Sequence, residues 1–436
     1  MNILIKDKIL LKNAKVFFKN KIQKRSILIK NGYIIDIFLR KTSLDEKLEE
    51  YFSIDCSDFL ITPSLIDGHV HTRNPGFEYK ENVDSFVECC VNGGILDVIA
   101  MGNTSPRPET IENFQEIEKI LTNKIVKIHQ VANITLYKNG VQTLTNFEQL
   151  KKKTSFFSDD GAPLIENNVM KSAIKMAKKH NIFLLLHEEN RKKSDESCYY
   201  NNKFLKKNGI GTLKDSYEWK MIERDILLNK NIDCKMHFQH LSTAKSLNII
   251  ENGKKFLKNL SCEVTFNHLA LNNKIINNTL GIYKVNPPIP TYYGQKKLLN
   301  GVKKNLINII VSDHAPHTKE EKECHFSKAM YGITSCELLF PVIYSIIYLK
   351  KKIPLENLIK KITIEPFKLF FDLEHNISLG KIAKISVFDI KLYKKVTAEN
   401  LYSKGKNTLF LNKYLTGWCK FIIFKDKIIT PKKKQK

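Results

Sequence analysis

Short runs in which apolar and polar positions alternate occupy both ends of the chain. The runs are Asn2–Lys6, Ala14–Phe18, Ser26–Lys30, Tyr33–Phe38, Ala383–Ile390, Thr408–Leu411, Trp418–Phe424 and Lys427–Thr430. A period of two is typical of half-buried β-strands. Asn31 and Gly32 provide a hairpin turn between two of these runs. The pattern predicts one small β-sandwich domain that is assembled from residues 1–57 and 381–436.

Between residues 58 and 380, apolar strand-like runs alternate with helical stretches. Such alternation is typical of repeated βα units around a parallel sheet. The runs that we interpret as strands end at His71, near Met101, near Val131, at Asp160, at His187, at His240, near Glu263 and at Asp313. They predict a TIM-type (β/α)8 barrel, and a chain of 436 residues is long enough for such a barrel and a smaller domain.

The composition fits a soluble globular protein. Hydrophobic residues make up 42% of the chain, and no apolar stretch reaches the roughly 18–20 residues of a membrane helix. The first residues are charged and lack the apolar segment of a secretory signal. We therefore expect a cytoplasmic protein that binds no membrane. The cysteines form no Cys-x-x-Cys motif, and in the cytosol they should be reduced.

The net charge of +26 is compatible with nucleic-acid binding, but the kind of basic residue argues against it. Arginine, which proteins favour for bidentate contacts with nucleic acid, stands only at positions 25, 40, 73, 107, 191 and 224. Lysine is spread over the whole chain, together with many Asn and Ile residues, as in A/T-rich genomes. We therefore predict no nucleic-acid partner, and we expect the basic tail Pro431–Lys436 to be solvated.

Two histidines separated by one residue stand at the end of the apolar run that begins at Ile61. On a strand, positions i and i+2 lie on the same face, so His69 and His71 would present two imidazoles to one point. Arg73 would follow on that face as a fixed cation. Such a pair on its own is equally compatible with two surface histidines at a strand end. The choice between a metal site and a surface pair depends on the other strands.

Further candidate ligands also stand at the ends of apolar runs. His187 and His240 each end such a run, Asp313 ends another, and Ser158–Gly161 contains a pair of carboxylates. In a parallel barrel the carboxyl ends of the strands meet at one rim, where enzymes of this fold keep their active sites. Four histidines and two aspartates at one rim can bind two zinc ions and leave positions open for water.

In order and spacing, these motifs resemble those of the class I dihydroorotases of the amidohydrolase superfamily. The matching segments are Asp67–Lys80, Met101–Thr104, Asp159–Gly161, His187–Asn190, His240–Thr243, Val285–Pro288, Asp313–His317 and Tyr331–Gly332. The resemblance implies two zinc ions per subunit. It assigns His69 and His71 to the first zinc with Asp313 beside it, His187 and His240 to the second, and Asp160 as the bridge between them. Asp159 is expected to orient its neighbours rather than to bind metal.

The resemblance also implies the reaction. Dihydroorotases reversibly hydrolyse (S)-dihydroorotate to N-carbamoyl-L-aspartate, a step of de novo pyrimidine (UMP) biosynthesis. Asp313 would be the catalytic residue that moves the proton between water and the ring nitrogen. The residues expected to contact the substrate are His71, Arg73, Asn103, Asn286, His317, Tyr331 and Gly332. Among the other histidines, we interpret His237 as structural, because on a strand it would face away from His240.

Two alternatives use the same fold. Hydantoinases and allantoinases share the histidines but bridge their metals with a carboxylated lysine, and the segment Phe157–Gly161 contains no lysine. A non-catalytic, dihydroorotase-like partner of aspartate carbamoyltransferase would have lost metal ligands, whereas all the candidates are present here. Asn74 and Tyr331 depart from the usual family residues near the substrate. The sequence leaves open whether the chain forms homo-oligomers or contacts aspartate carbamoyltransferase.

Overall fold

The computed structural model describes residues 1–39, 48–138, 141–190 and 198–432, which form a mixed α/β fold. The end of the basic tail, residues 433–436, lies outside the described residues. Within the described ranges, no helix combines the length and apolar character needed to cross a bilayer.

Strands from both ends of the chain form one mixed sheet, which has nine strands within the described residues. Its members are Asn2–Ile5, Lys8–Phe18, Lys21–Lys30, Tyr33–Phe38, Phe52–Asp55, Phe59–Pro63, Lys384–Asp389, Trp418–Phe424 and Lys427–Thr430. Phe59–Pro63 pairs in parallel with Lys8–Phe18 and antiparallel with Lys384–Asp389, and so joins the N-terminal and C-terminal parts. The apolar faces of these strands enclose a core of their own.

Two features of this sheet differ from the pattern-based prediction. The sequence pattern places Phe59–Pro63 in the barrel, whereas it pairs inside the terminal sheet, because a short apolar run fits both settings equally well. The predicted strand Thr408–Leu411 is a turn, closed by a hydrogen bond from the Leu411 N–H to the Thr408 carbonyl. Its alternation arises because Phe410 packs against Phe266 rather than against a sheet.

Parallel strands carry the middle of the chain, in sheets of three and five within the described ranges. They are Leu65–Val70, Ile95–Ala100, Lys127–Gln130, Phe156–Phe157, Phe183–Leu186, Lys235–Phe238, Leu260–Thr265 and Ile309–Val311. Each pairs in parallel with the next strand within its sheet. Isolated parallel bridges, Ala132 to Phe157 and Val70 to His314, connect the two sheets at both ends. Each predicted run therefore contains one strand.

Helices follow most of these strands. The α-helices are Val83–Gly93, Ile111–Leu121, Phe147–Leu150, Asn167–His180, Lys203–Lys207, Ser216–Asn229, Ala244–Gly253, Phe266–Ala270, Tyr292–Lys303, Lys319–Lys322, Leu339–Val342, Leu355–Lys360 and Ile364–Phe371. Shorter elements are the π-helix Ile343–Tyr348, the 3-10 turns Asn273–Ile275, Gly281–Tyr283, Cys336–Leu338 and Ala398–Asn400, and the strand pairs Thr135–Lys138 with Val141–Leu144 and Lys394–Lys395 with Tyr414–Leu415.

Local sequence explains where the longer helices begin. The side chains of Asn82, Thr110 and Thr243 each accept a hydrogen bond from a backbone N–H in the first turn of the helix that follows. Such caps satisfy donors that a helix leaves unpaired at its start. The helix Val83–Gly93 ends at Gly94, whose φ of 79° lies in the left-handed region that favours glycine. Each helix can therefore return the chain to the start of the next strand.

An aromatic cluster packs at the amino ends of the parallel strands. Phe370, from the helix Ile364–Phe371, contacts Phe156 and Phe183 with ring centroids 5.7 and 5.8 Å apart. With Ile309 and other apolar side chains they form a separate core. Aromatic and aliphatic packing therefore fills much of the space at the amino ends of the strands.

Candidate metal centre and active site

The predicted metal ligands meet at the carboxyl ends of the parallel strands. His69 lies on Leu65–Val70, His71 follows that strand directly, and His187 follows Phe183–Leu186 directly. Asp160, His240 and Asp313 stand two or three residues beyond their strands. All are buried except Asp313, whose side chain is 16% exposed. The fold therefore brings six side chains from distant parts of the sequence to one place.

Asp160 lies at the centre of this group. Its Oδ1 is 3.6 Å from His69 Nε2, 3.2 Å from His187 Nδ1 and 3.5 Å from His240 Nε2. Its Oδ2 is 3.5 Å from His71 Nε2. Two sets of possible ligands result, one of Asp160 with His69 and His71, the other of Asp160 with His187 and His240. Because Asp160 belongs to both sets, its carboxylate can bridge two ions.

The donor atoms fit a divalent metal. His69 Nε2 and Asp160 Oδ1 are buried and have no hydrogen-bond partner among the described residues. Buried polar atoms almost always have such a partner, so an unpaired nitrogen and oxygen that face each other fit a positive ion bound between them. Imidazole nitrogens and carboxylate oxygens are the ligand types that zinc accepts.

Asp313 lies beside the first of these sets. Its Oδ1 is 3.2 Å from His71 Nε2 and 3.7 Å from His69 Nε2. Its backbone has a φ of 49°, and His240 has a φ of 29°, both in the left-handed region that non-glycine residues rarely adopt. This turn of the chain beyond the strand aims both side chains at the centre, and the local backbone strain is typical of functional positions.

Neighbouring imidazoles keep both aspartates ionised. Burial raises the pKa of Asp160, but contacts with His69, His187 and His240 outweigh it, so this pKa lies well below its usual range. Burial also opposes ionisation of Asp313, and the hydrogen bond from His71 with the nearby imidazoles lowers its pKa to about 2. Both side chains are therefore carboxylates at neutral pH, as metal binding and base catalysis require.

Outer hydrogen bonds orient the imidazoles. The Nδ1 atoms of His69 and His71 lie 2.8 Å from Glu263 Oε1 and from Asn103 Oδ1, respectively. These acceptors hold a ring proton on Nδ1, so that Nε2, which faces the centre, is the nitrogen that a metal ion would bind. Asn103, predicted as a substrate residue, is thus also in contact with a ligand.

His187 is oriented the other way round. Its Nδ1 faces Asp160, and its Nε2 lies 3.2 Å from the Asn286 side-chain nitrogen. The same Asn286 nitrogen donates to Glu189 Oε2 at 2.9 Å. Asn286, also predicted as a substrate residue, therefore lies against the second ligand set.

The remaining predicted substrate residues form a group beside Asp313. Arg73 Nη2 lies 3.1 Å from His317 Nε2, and Arg73 Nε donates to the Pro316 carbonyl at 3.2 Å. The same His317 nitrogen lies 2.7 Å from the Tyr331 carbonyl oxygen. Gly332 follows with a φ of 126°, and an added Cβ there would come within 2.6 Å of the Ala315 backbone. Only glycine fits this close approach.

Burial and charge set the ionisation of this group. Burial and the positive charges of Arg73 and Lys80 lower the pKa of His317 to about 3, so its ring is neutral. Burial lowers the pKa of Arg73 to about 10, opposed by the charges of Asp313 and Asp160, so the guanidinium remains charged. A neutral hydrogen-bonding ring and a fixed cation stand together, an arrangement suited to a carboxylate.

Asp159 has a different role from its neighbour Asp160. It accepts hydrogen bonds from the Ile134 and Thr135 backbone N–H groups, from the Thr135 hydroxyl at 2.5 Å and from Asn133. Its carboxylate is occupied by this loop and belongs to neither ligand set.

Comparison with known proteins identifies the family. Residues 59–246 match the family model described as Dihydro-orotase-like. The chain is 33% identical over 381 residues to a dihydroorotase of Bacillus cytotoxicus, covering 87% of this chain and 89% of that protein. It is 32% identical over 430 residues to a dihydroorotase of Bacillus cereus, covering 98% of each. The chain belongs to the dihydroorotase family.

Solved structures agree with this family at the level of fold. An L-hydantoinase from Arthrobacter aurescens superposes with a TM-score of 0.81 at 19% identity, over 98% of this chain and 96% of that one. A dihydropyrimidinase from Brevibacillus agri gives 0.81 at 17% identity, over 97% and 95%. The family predicted from the motifs, dihydroorotase, is confirmed.

Sequence reasoning missed one carboxylate of this dihydroorotase-family site and misread one histidine. Glu263, inside the strand Leu260–Thr265, contacts both His69 and His237. The only signal was a charged residue in an apolar run. His237 was predicted to face away from His240, which is wrong, because the strand ends at Phe238 and His240 lies on the turn beyond it. His237 therefore faces the same interior.

Proposed function

We propose that this chain is a dihydroorotase, an enzyme that reversibly hydrolyses (S)-dihydroorotate to N-carbamoyl-L-aspartate in de novo pyrimidine synthesis. Its relatives named dihydroorotase match over most of their length. The observation that carries the proposal is the position of Arg73 and His317, a carboxylate-binding pair, directly beside the buried ligands and Asp313. The substrate is a small molecule, and we place the reaction in the cytoplasm.

The proposed fold completes the architecture. We infer that the parallel strands close into a (β/α)8 barrel, supported by the bridge from Val70 to His314 between the first and last strands. We infer also that the sheet from both termini is a small β-sandwich domain, supported by its separate apolar core. In this architecture residues 1–63 and 381–436 form the small domain, and the barrel begins at Leu65.

Two zinc ions are the proposed cofactors. His69 and His71 would hold one, with Asp313 beside it, and His187 and His240 would hold the other, with Asp160 in contact with both. When bound, zinc lowers the pKa of water to about 7 and polarises the substrate carbonyl.

Asp313 provides the proton transfer. Its carboxylate is ionised, with a pKa of about 2, so it begins as a base. It accepts a proton from the attacking water at a carboxylate oxygen and then gives that proton to the ring nitrogen that leaves. In ring closure the same carboxyl takes the proton from the nitrogen and returns it to the departing water. His71, at 3.2 Å, holds Asp313 in place for both directions.

The substrate is held by groups on either side. Arg73 offers a planar fork of donors to its carboxylate, and the neutral ring of His317 lies against this guanidinium on the same side. The Asn103 side chain contacts the His71 ring, which in turn lies 3.2 Å from Asp313. Asn286 and the backbone of Tyr331 and Gly332 would contact the ring. Because these groups are buried or half-buried, water weakens their interactions with the substrate less than it would at an exposed surface.

Ring closure of N-carbamoyl-L-aspartate tests the proposal. The purified protein should contain zinc, form dihydroorotate, lose activity to a strong chelator and regain it with Zn²⁺. Arg73→Lys keeps the charge but loses the bidentate fork, so kcat/KM should fall about 10–100-fold, the value of a charged hydrogen bond, while zinc content is unchanged.

The competing substrates provide the control. Hydantoin and allantoin lack a carboxylate that Arg73 could bind, so the same protein should turn them over poorly. Efficient hydrolysis of either compound without turnover of dihydroorotate would refute the proposed function. Such activity would also be unexpected, because hydantoinases and allantoinases bridge their metals with a carboxylated lysine, whereas Asp160 belongs to both ligand sets here.

A further inference from the structure

The Glu263 carboxylate lies between two imidazoles beneath the metal centre. It is fully buried on the strand Leu260–Thr265. Its Oε1 is 2.8 Å from His69 Nδ1, and its Oε2 is 3.0 Å from His237 Nε2. On the far side of the second ring, His237 Nδ1 is 2.8 Å from the Ser261 hydroxyl. A buried chain of contacts thus leads from Ser261 to a predicted metal ligand.

The chemistry of these groups fixes where the protons are. An ionised carboxylate only accepts hydrogen bonds, so both imidazoles must donate to it. His69 then carries a proton on Nδ1, and its Nε2 faces Asp160 at 3.6 Å. His237 carries a proton on Nε2, and its Nδ1 can accept from the Ser261 hydroxyl. With Nδ1 engaged by Glu263, Nε2 is the nitrogen of His69 that is available to a metal ion.

We propose that Glu263 is a positioning residue that holds His69 in its metal-binding tautomer and orientation, and that His237 holds Glu263 in turn. This inference rests on the ligand assignment made in the proposed function. Neither residue would touch the metal or the substrate. Such outer partners also raise the basicity of the ligand nitrogen, and losing one typically weakens metal binding about 10–100-fold.

The neighbouring ligand provides an internal contrast. His71 donates its Nδ1 proton to the neutral side-chain oxygen of Asn103, at the same distance of 2.8 Å. His69, unlike His71, is paired at Nδ1 with a full negative charge, which stabilises a bound cation more strongly than an amide does. Glu263 Oε1 also lies 3.3 Å from the His240 backbone N–H, so the same carboxylate touches both ligand sets.

Metal titration of three variants tests the role of Glu263. Glu263→Gln keeps the shape but removes the charge, and His237→Phe keeps the ring but removes the donor to Glu263. Asp97→Asn is the matched control, because Asp97 is 1% exposed and also contacts a histidine, His129, but lies outside the ligand sets. Metal-free protein would be titrated with Zn²⁺ against a chromophoric chelator, and the visible spectrum of the Co²⁺ form recorded.

We expect Glu263→Gln to weaken at least one metal-binding step by tenfold or more and to change the Co²⁺ spectrum. His237→Phe should weaken the same step by less, and Asp97→Asn should match the wild type in both measurements even where its thermal stability falls. A merely structural role for Glu263 would lower stability without changing the Co²⁺ spectrum.

Wild-type affinity and an unchanged Co²⁺ spectrum in Glu263→Gln would overturn the inference. If that variant does not fold, His237→Phe decides in the same way. These measurements need no substrate. A wild-type protein that binds metal but does not turn over dihydroorotate would therefore refute the proposed function and leave the role of Glu263 intact.

Discussion

The two ends of the parallel strands differ in kind, although the same short strands supply both. Phe183 starts a strand of four residues within the aromatic cluster around Phe370, and His187 follows the end of that strand at the metal centre. Ile309 and Asp313 repeat the contrast on the last strand. One end is apolar and densely packed, and the other holds buried carboxylates and imidazoles. Packing at one end can therefore supply the stability that the polar end lacks.

The largest expected effect comes from a substitution at the carboxyl ends of the strands, which hold the metal centre. Asp313→Asn keeps the size of the side chain but cannot accept a proton at neutral pH, so turnover should fall by about 10²–10⁴. Turnover and metal content must be measured together, because Asp313 also lies near His69 and His71. Loss of turnover with metal retained would establish the proton transfer. Loss of both in proportion would make Asp313 a ligand first, and retention of both would place the base elsewhere.

The next largest effect is expected from a substitution in the aromatic cluster at the amino ends of the strands. Phe370→Ala removes a ring that contacts Phe156, Phe183 and His237, and should lower the free energy of unfolding by about 3–5 kcal/mol. Chemical denaturation measures the loss. The folded fraction should still bind metal, and a variant that keeps full stability would show that the contrast between the two ends is wrong. Phe371→Ala, at the half-buried neighbouring position, is a milder comparison.

The smallest effect is a pH dependence at the apolar end. Burial and the charge of Lys384 lower the pKa of His375 to about 4, and its Nε2 lies 2.9 Å from the Ser64 carbonyl. The unfolded chain binds this proton near pH 6.5 and the folded chain only near pH 4, so stability should fall as pH drops through that window. One proton accounts for at most about 1.4 kcal/mol per pH unit.

The control for this prediction is His375→Phe, which keeps an aromatic ring against Phe367; in the wild type the two ring centroids are 4.0 Å apart. It should flatten the part of the stability profile between pH 6.5 and 4. Denaturation of both proteins across that range measures the difference, and identical slopes would assign the pH dependence to other groups.

The sequence predicted the ligands because two local rules were sufficient. Side chains alternate along a strand, and parallel strands present their carboxyl ends at one edge, so His69, His71 and His187 could be placed without coordinates. The rules failed where the chain leaves the strand. His240 lies on a turn with a φ of 29°, and the position of His237 relative to it could not be derived from strand alternation.

Contacts between distant residues were also beyond local rules. His69 and Glu263 are 194 residues apart in the chain, and nothing in either segment indicates that they touch. The pairing of Phe59–Pro63 with Lys384–Asp389 is a similar case, because a short apolar run fits either a barrel or a separate sheet. Pairing partners depend on the assembled fold, and the pattern of one segment does not contain that information.

The pairing of Phe59–Pro63 has a consequence for how the protein is made. A single residue, Ser64, separates this strand from the one that carries His69. Its sheet partner Lys384–Asp389 is made only after all of the parallel strands that carry the ligands. Domains usually fold in the order in which they are translated, but Phe59–Pro63 completes its pairing only once Lys384–Asp389 has been made. A nascent chain that stops before Lys384 should therefore leave one edge of Phe59–Pro63 unpaired and be more sensitive to protease than a chain that includes this partner strand.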